Sequence, residues 1–187
     1  MFVIRLCALV LLTAAFVACG GGSENVARVG GEEITEEDVE RMVEFYEEEL
    51  TREGHEVPVE GSESRRFLER RLLGIIVYRE QLEQAAAEEF GIRNSEEEVE
   101  ERLERSEEAR EEKEREGEGG EEGEEGIAFI ENAIRIQLIK EKVAERIGAD
   151  KLDDWIAKAL GSVPVEYEEG WEPVEAGQTP PPTVSIP

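Results

Sequence analysis

The sequence predicts a mainly α-helical domain of four to five helices, closed by a small pairing of N- and C-terminal strands. Two patterns carry this expectation. Long stretches between residues 36 and 160 repeat apolar residues at three- and four-residue steps and stop at glycines. At the two ends, residues 26–29 and the set Val163, Val165 and Tyr167 alternate instead, which is the period of a half-buried strand. Pro164 lacks an N–H for a sheet ladder, so the second of these strands belongs at an edge.

Residues 26–39 read VARVGGEEITEEDV: a strand, a tight turn and a helix start. The turn at Gly30 and Gly31 needs positive φ, which glycine adopts without a Cβ clash. Thr35 followed by Asp38 fits the cap that satisfies the free N–H groups of a first helical turn. The first helix then runs over residues 36–52, with Val39, Met42, Val43, Tyr46 and Leu50 on one stripe and Phe45 broadening it to one side. A loop with Gly54, Pro58 and Gly61 ends it.

The longest helix begins after Ser62 or Ser64 and reaches Phe90, with Phe67, Leu68, Leu72, Ile76 and Leu82 among its apolar face and Gly91 as its stop. It is the expected backbone of the domain. Residues 95–98, Ser-Glu-Glu-Glu, form a capping box for a third helix that holds little beyond Val99 and Leu103 to bury. Residues 107–126 are almost entirely Glu, Gly, Arg and Lys, too polar to offset the entropy of ordering. The Glu/Gly part, 116–126, reads as a mobile acidic loop, and the Glu/Arg/Lys part before it can continue helical through i,i+4 pairs. An acidic arm for basic clients or divalent cations is the functional alternative, although no alternating Asp pattern with a central glycine marks a calcium site.

A fourth helix covers residues 127–147, where Ile127, Ile130, Ile134, Leu138 and Val143 share one side and Phe129, Ala133, Ile136 and Ile139 widen it. After Gly148, Asp150 is placed to cap a fifth helix through Leu160, anchored by Trp155 and Ile156.

The run Val-x-x-Val-x-Gly-x-x-Ile-Thr at 26–35 and the junction Phe-Gly-Ile-x-x-Ser-Glu-Glu-Glu-Val at 90–99, in this order of helices, resemble the N-terminal domain of the SurA-type and PrsA-type extracytoplasmic chaperones of bacteria. The resemblance covers roughly residues 26–170. It implies helices that frame a groove for unfolded segments. In such relatives a parvulin prolyl-isomerase domain usually follows the fourth helix, but here only Gly148, Ala149 and Asp150 intervene and the chain has a single histidine. The resemblance therefore implies the peptide-binding module alone. Candidate client-binding residues are Met42, Phe45 and Tyr46 on the first helix and Phe129 and Ile136 on the fourth, where apolar surface exceeds one stripe. Core packing is the competing account of each.

Residues 1–19 read as a lipoprotein leader. One positive charge at Arg5 precedes an apolar run, 6–17, that is too short to span a bilayer. Phe16-Val17-Ala18-Cys19 resembles a bacterial lipobox, with Phe16 where leucine is usual and Cys19 as the lipid-bearing residue; the alternative is an ordinary secretory leader. Residues 20–25, opening with three glycines, form a flexible tether. Cys7 lies in the leader, so no thiol remains for a disulfide or metal site in residues 26–170, the expected domain.

The 187 residues carry 21 Lys and Arg against 48 Asp and Glu, a net charge of −27. That excess excludes nucleic acid as a natural partner and opposes anionic lipid, leaving the lipid anchor as the expected membrane contact. His55 sits in a loop, and no zinc-protease helix, nucleophile elbow or phosphate-binding glycine loop occurs. The expectation is no enzyme, no metal and no cofactor. Residues 171–187 form a Pro-rich tail expected to be disordered, with Trp171 packing the closing strand.

These readings combine into a holdase-like chaperone for unfolded or newly exported polypeptides, lipid-anchored at the extracytoplasmic face of a bacterial membrane and without isomerase activity. The alternative is a non-enzymatic adaptor lipoprotein binding one folded partner. On the anchor, Cys19→Ser is expected to move the protein from the membrane to the soluble or secreted fraction, as read by cell fractionation; unchanged retention contradicts lipidation.

Overall fold

The structure, a computed structural model, describes residues 24–52, 54–115 and 127–174. The leader, tether residues 20–23, the acidic segment 116–126 and the tail beyond 174 lie outside the described residues. The described residues form strands β1 (Asn25–Val29), β2 (Glu32–Thr35) and β3 (Val165–Tyr167), and helices α1 (Glu36–Arg52), α2 (Glu63–Phe90), α3 (Glu96–Arg115), α4 (Ile127–Ile147) and α5 (Leu152–Ser162). The architecture is thus mainly helical, with the two ends of the chain joined in one small sheet.

That sheet is antiparallel, in the order β2-β1-β3, with Val29 opposite Glu32 on one side and Val165 on the other. The pairing of β1 with β3 is the one the sequence anticipates, and the strand after Pro164 is at an edge. The second strand, β2, is absent from the sequence reading. With positive φ at both Gly30 and Gly31, the turn folds the chain straight back on β1, and Ile34 is buried. A single buried residue in Glu-Glu-Ile-Thr gives no visible alternation. Thr35 then begins α1 as expected: its N–H and hydroxyl both donate to the Asp38 carboxylate, and the Asp38 N–H returns a bond to its hydroxyl.

The 28-residue α2 is about 42 Å long at 1.5 Å per residue. Its start is capped by Ser62, whose hydroxyl accepts from the Arg65 N–H at 3.1 Å. It packs against α1, α4, α5 and β1, and its Leu72, Leu73, Ile76, Val77, Leu82 and Ala86 fill the centre of the core. Three buried or half-buried polar side chains on α2 act as hooks. Arg65, 5% exposed, reaches Glu40 and Glu47 on α1 and Glu69 on its own helix. Gln81 donates to the carbonyls of Leu160 and Val163, tying down the end of α5. Gln84 donates to the Val29 carbonyl at 2.7 Å and so docks β1.

The Ser95–Glu98 capping box forms as read, and the Glu98 carboxylate also accepts from Lys142 on α4 at 2.7 Å. The Lys142 ammonium and the Ser95 N–H together hold the Glu98 carboxyl down at about 2. Two boundaries differ from the sequence reading. Asp150 does not cap α5: it lies inside a 3-10 turn, Ala149–Lys151, and Lys151 precedes the helix without a side-chain cap bond. Val163 is buried just after α5, and the strand begins two residues later. Trp171 packs on the core, and its N–H donates to the Glu168 carbonyl, so ordered packing continues past the expected boundary at residue 170.

A Cβ placed on Gly30 would lie 1.8 Å from the Gln84 side-chain oxygen, so Gly30→Ala must displace the hook that holds β1. The substitution is expected to cost about 2 kcal/mol in urea unfolding. Part of that cost should vanish in a Gln84→Ala background, and strict additivity in the double-mutant cycle would refute the contact.

Candidate polypeptide-binding surface

A cleft runs beside α2, between the β1–β2 hairpin with the start of α1 on one side and α4 on the other. It consists of two adjoining depressions of about 460 and 380 Å³ that share Glu80, Glu83 and Arg135. The first lies between the Gly30–Gly31 turn, α2 and Arg93-Asn94; the second lies between β2, Asp38 and Arg41 of α1, α2, and Glu131 and Asn132 of α4.

The lining is polar, and most of its charge is already paired. Arg135 bonds Glu131 at 2.7 Å and Glu96 at 2.6 Å, and these carboxylates raise its pKa despite the opposing effect of burial. Arg79 contacts Glu80 and donates to the Asn132 side-chain oxygen at 2.7 Å, while the Asn132 amide reaches the Met42 sulfur at 3.6 Å. This chain of contacts joins α2, α4 and α1 across the cleft floor. The Arg79 Nε is buried without a hydrogen bond, 3.9 Å from Glu83. Glu83, 24% exposed, accepts from Asn94 at 3.0 Å, yet burial pushes its carboxyl above the usual range against the pull of Arg79.

Met42, 1% exposed, packs in the core beneath the floor of the second depression, so it offers almost no surface to a client, which corrects its place in the expected groove. The reason is geometric: it faces the Asn132 bridge between the three helices. Tyr46 and Ile136 are half-buried and pack against the core, and Phe45 is half-buried on α1. The Phe129 side chain lies outside the described residues. Among the described residues the one large hydrophobic side chain exposed to solvent is Val59, at 54%. The structure therefore does not gather the four described positions, Met42, Phe45, Tyr46 and Ile136, into one open apolar groove. The polar cleft went unread because its residues, spread over β2, α1, α2 and α4, have no common sequence spacing; the charged run Arg79-Glu80 with Glu83 on the long helix is the only local signal.

No group of three or more His, Cys, Asp or Glu among the described residues is placed to hold a metal ion. No described helix is long and apolar enough to cross a membrane.

Residues 1–132, more than half of the chain, match the family model described as the SurA-like N-terminal domain. The chain belongs to that family. No curated protein and no solved structure matches it. The family match ends inside α4 at Asn132, so the rest of α4, α5 and β3 of this SurA-like domain lie past the matched residues. Membership points to a chaperone-type role in binding polypeptides, the general substrate class of the family.

Because the folded state holds the Glu83 proton more tightly than the unfolded state, stability falls as pH rises from the ordinary value of 4.5 through the raised one. Glu83→Gln, which can still accept from Asn94, is expected to raise the Tm at pH 7. The gain should disappear below about pH 4, where the wild-type carboxyl is protonated in both states; an equal gain at both pH values would refute the burial penalty.

Proposed function

We propose that this SurA-like domain is an extracytoplasmic, lipid-anchored holdase that binds unfolded or newly exported polypeptides without catalysing a reaction. The observation that carries the reading is the family match over residues 1–132, which spans the β1–β2 hairpin, α1, α2 and the first residues of α4 around the cleft. Three further features support it. The strong negative charge keeps a client-loaded protein soluble and favours basic segments. The cleft is lined by enough polar side chains to bond backbone amides. The link from α4 to α5 is Gly148 and one 3-10 turn, at the place where relatives of this type usually carry the isomerase.

One observation favours a second reading, an adaptor that binds a single folded partner: the described surface exposes little large apolar side-chain area. Promiscuous capture of unfolded chains commonly uses such area.

The deciding experiment titrates the purified full chain against two unrelated aggregating proteins, alongside a Phe45→Glu variant checked for folding by circular dichroism. Suppression of both substrates, reduced several-fold in the folded variant, is the expected result for a holdase with α1 at its binding surface. Absence of suppression at any ratio would favour the adaptor.

A further inference from the structure

A polypeptide-binding domain with little exposed apolar side chain has another way to hold an unfolded chain: through its backbone. The small sheet has two outer edges, and they are not equivalent. In the β1–β3 ladder, the Gly30 N–H donates to the Pro164 carbonyl at 2.9 Å and the Glu168 N–H donates to the Val26 carbonyl at 3.0 Å. With Arg28 opposite Glu166, this alternation turns the N–H and C=O of Glu166 toward β1. It turns those of Val165 and Tyr167 outward, where no hydrogen-bond partner among the described residues meets them. Four backbone groups, two donors and two acceptors, therefore stand on the open edge of β3, about 7 Å apart in pairs along the strand. On the opposite edge, β2 is shorter in this respect: its hairpin register turns only Glu33 outward before the Thr35 N–H is taken by Asp38.

Charge says what belongs on the β3 edge. Across the solvent face of the sheet, Glu33, Arg28 and Glu166 stand in one row. Arg28 is already bonded to Glu33 at 2.6 Å, and among the described residues Glu166 has no ion-pair partner of its own. A fourth strand would continue the row, and the residue opposite Glu166 would sit in a non-hydrogen-bonded pair, where side chains approach most closely. Its two neighbours would point to the other face, beside the half-buried side chains of Val165 and Tyr167.

We infer that the free edge of β3 adds an extended segment of client polypeptide as a fourth antiparallel strand, with a lysine or arginine opposite Glu166 and apolar residues on either side of it. The inference rests on the polypeptide-binding reading of the domain and names the class of segment it takes. Recognition lies mainly in the backbone, which every polypeptide offers, and the cationic residue sets the register. Most of α4 and all of α5 and β3 lie past the family match, so this edge is a feature of the part of the chain that the family model does not cover.

The test uses the full chain and a soluble nine-residue peptide with a Val-Lys-Val centre. Three companions are needed: the same peptide with Glu in place of the Lys, one N-methylated on both valines, and one N-methylated on the lysine. The valine amides would face β3 and the lysine amide would face away, so methylation at the valines should abolish binding while methylation at the lysine is tolerated. The Lys peptide should bind roughly two- to fivefold more tightly than the Glu peptide. Glu166→Lys should reverse that order and Glu166→Gln should flatten it; the position is solvent-facing, and folding is checked by circular dichroism. Amide exchange at Val165 and Tyr167 should slow when the Lys peptide is bound.

Equal binding of the two valine- and lysine-methylated peptides would overturn the inference, as would protection confined to the cleft. Protection of Val165 and Tyr167 without peptide would overturn it too. If that protection rises with protein concentration, a second copy fills the edge; if it does not, the chain covers the edge itself. Aggregation suppression without edge protection would leave the holdase reading standing and remove this one. Edge binding without suppression would do the reverse.

Discussion

Loop closure is the constraint on which the fold depends. Pairing β1 with β3 brings the first described strand against the last, and closing a loop of that length costs about 4 kcal/mol in chain entropy before any contact is made. The pairing itself is only three residues long. So short a ladder cannot meet that cost alone. What offsets it is α2, which holds both partners: Gln84 bonds the end of β1, and Gln81 bonds the chain on either side of the exit from α5. With both strands fixed to one rigid helix, the sheet forms from neighbours. The same helix carries Arg65 to α1 and Arg79 to α4, so a single rod orders every layer of the domain.

The charge of the chain is spent unevenly. Several buried or half-buried arginines are committed to carboxylates: Arg79 pairs within α2, while Arg135 joins α4 to α3 and Arg65 joins α2 to α1. These pairs are half-buried, where each bond is worth more than at the surface but desolvation offsets much of the gain. Their value is directional: they fix which helix faces which in a protein whose surface is dominated by one sign of charge. The negative charge left over favours solubility and repels anionic surfaces.

The apolar residues are almost wholly consumed by the core. Five helices in a domain of this size require a wide apolar face on each, and the structure uses Met42, Ile139 and Val143 for that purpose. The described surface therefore lacks a broad greasy face. Its polar cleft and the outer edge of its sheet present hydrogen-bonding groups instead.

Local periodicity and punctuation determined the helices: their apolar stripes, Ser62 and Gly91 at the ends of α2, and the boxes at Thr35 and Ser95 were all legible, because a helix is specified by residues within one or two turns of each other. The family signature at 26–35 and 90–99 was legible for the same reason. The second strand β2 and the 3-10 turn that displaces Asp150 from its capping role were not. Ile34 marks a strand only once β1 lies opposite it, and the 3-10 turn closes through a backbone bond from Lys151 to Gly148 that no side chain announces. Sequence alone fixed which residues are apolar and which helices they ride on. Only the tertiary structure decided which of them face each other and which backbone groups are left unpaired, because both depend on registers set between segments far apart in the chain.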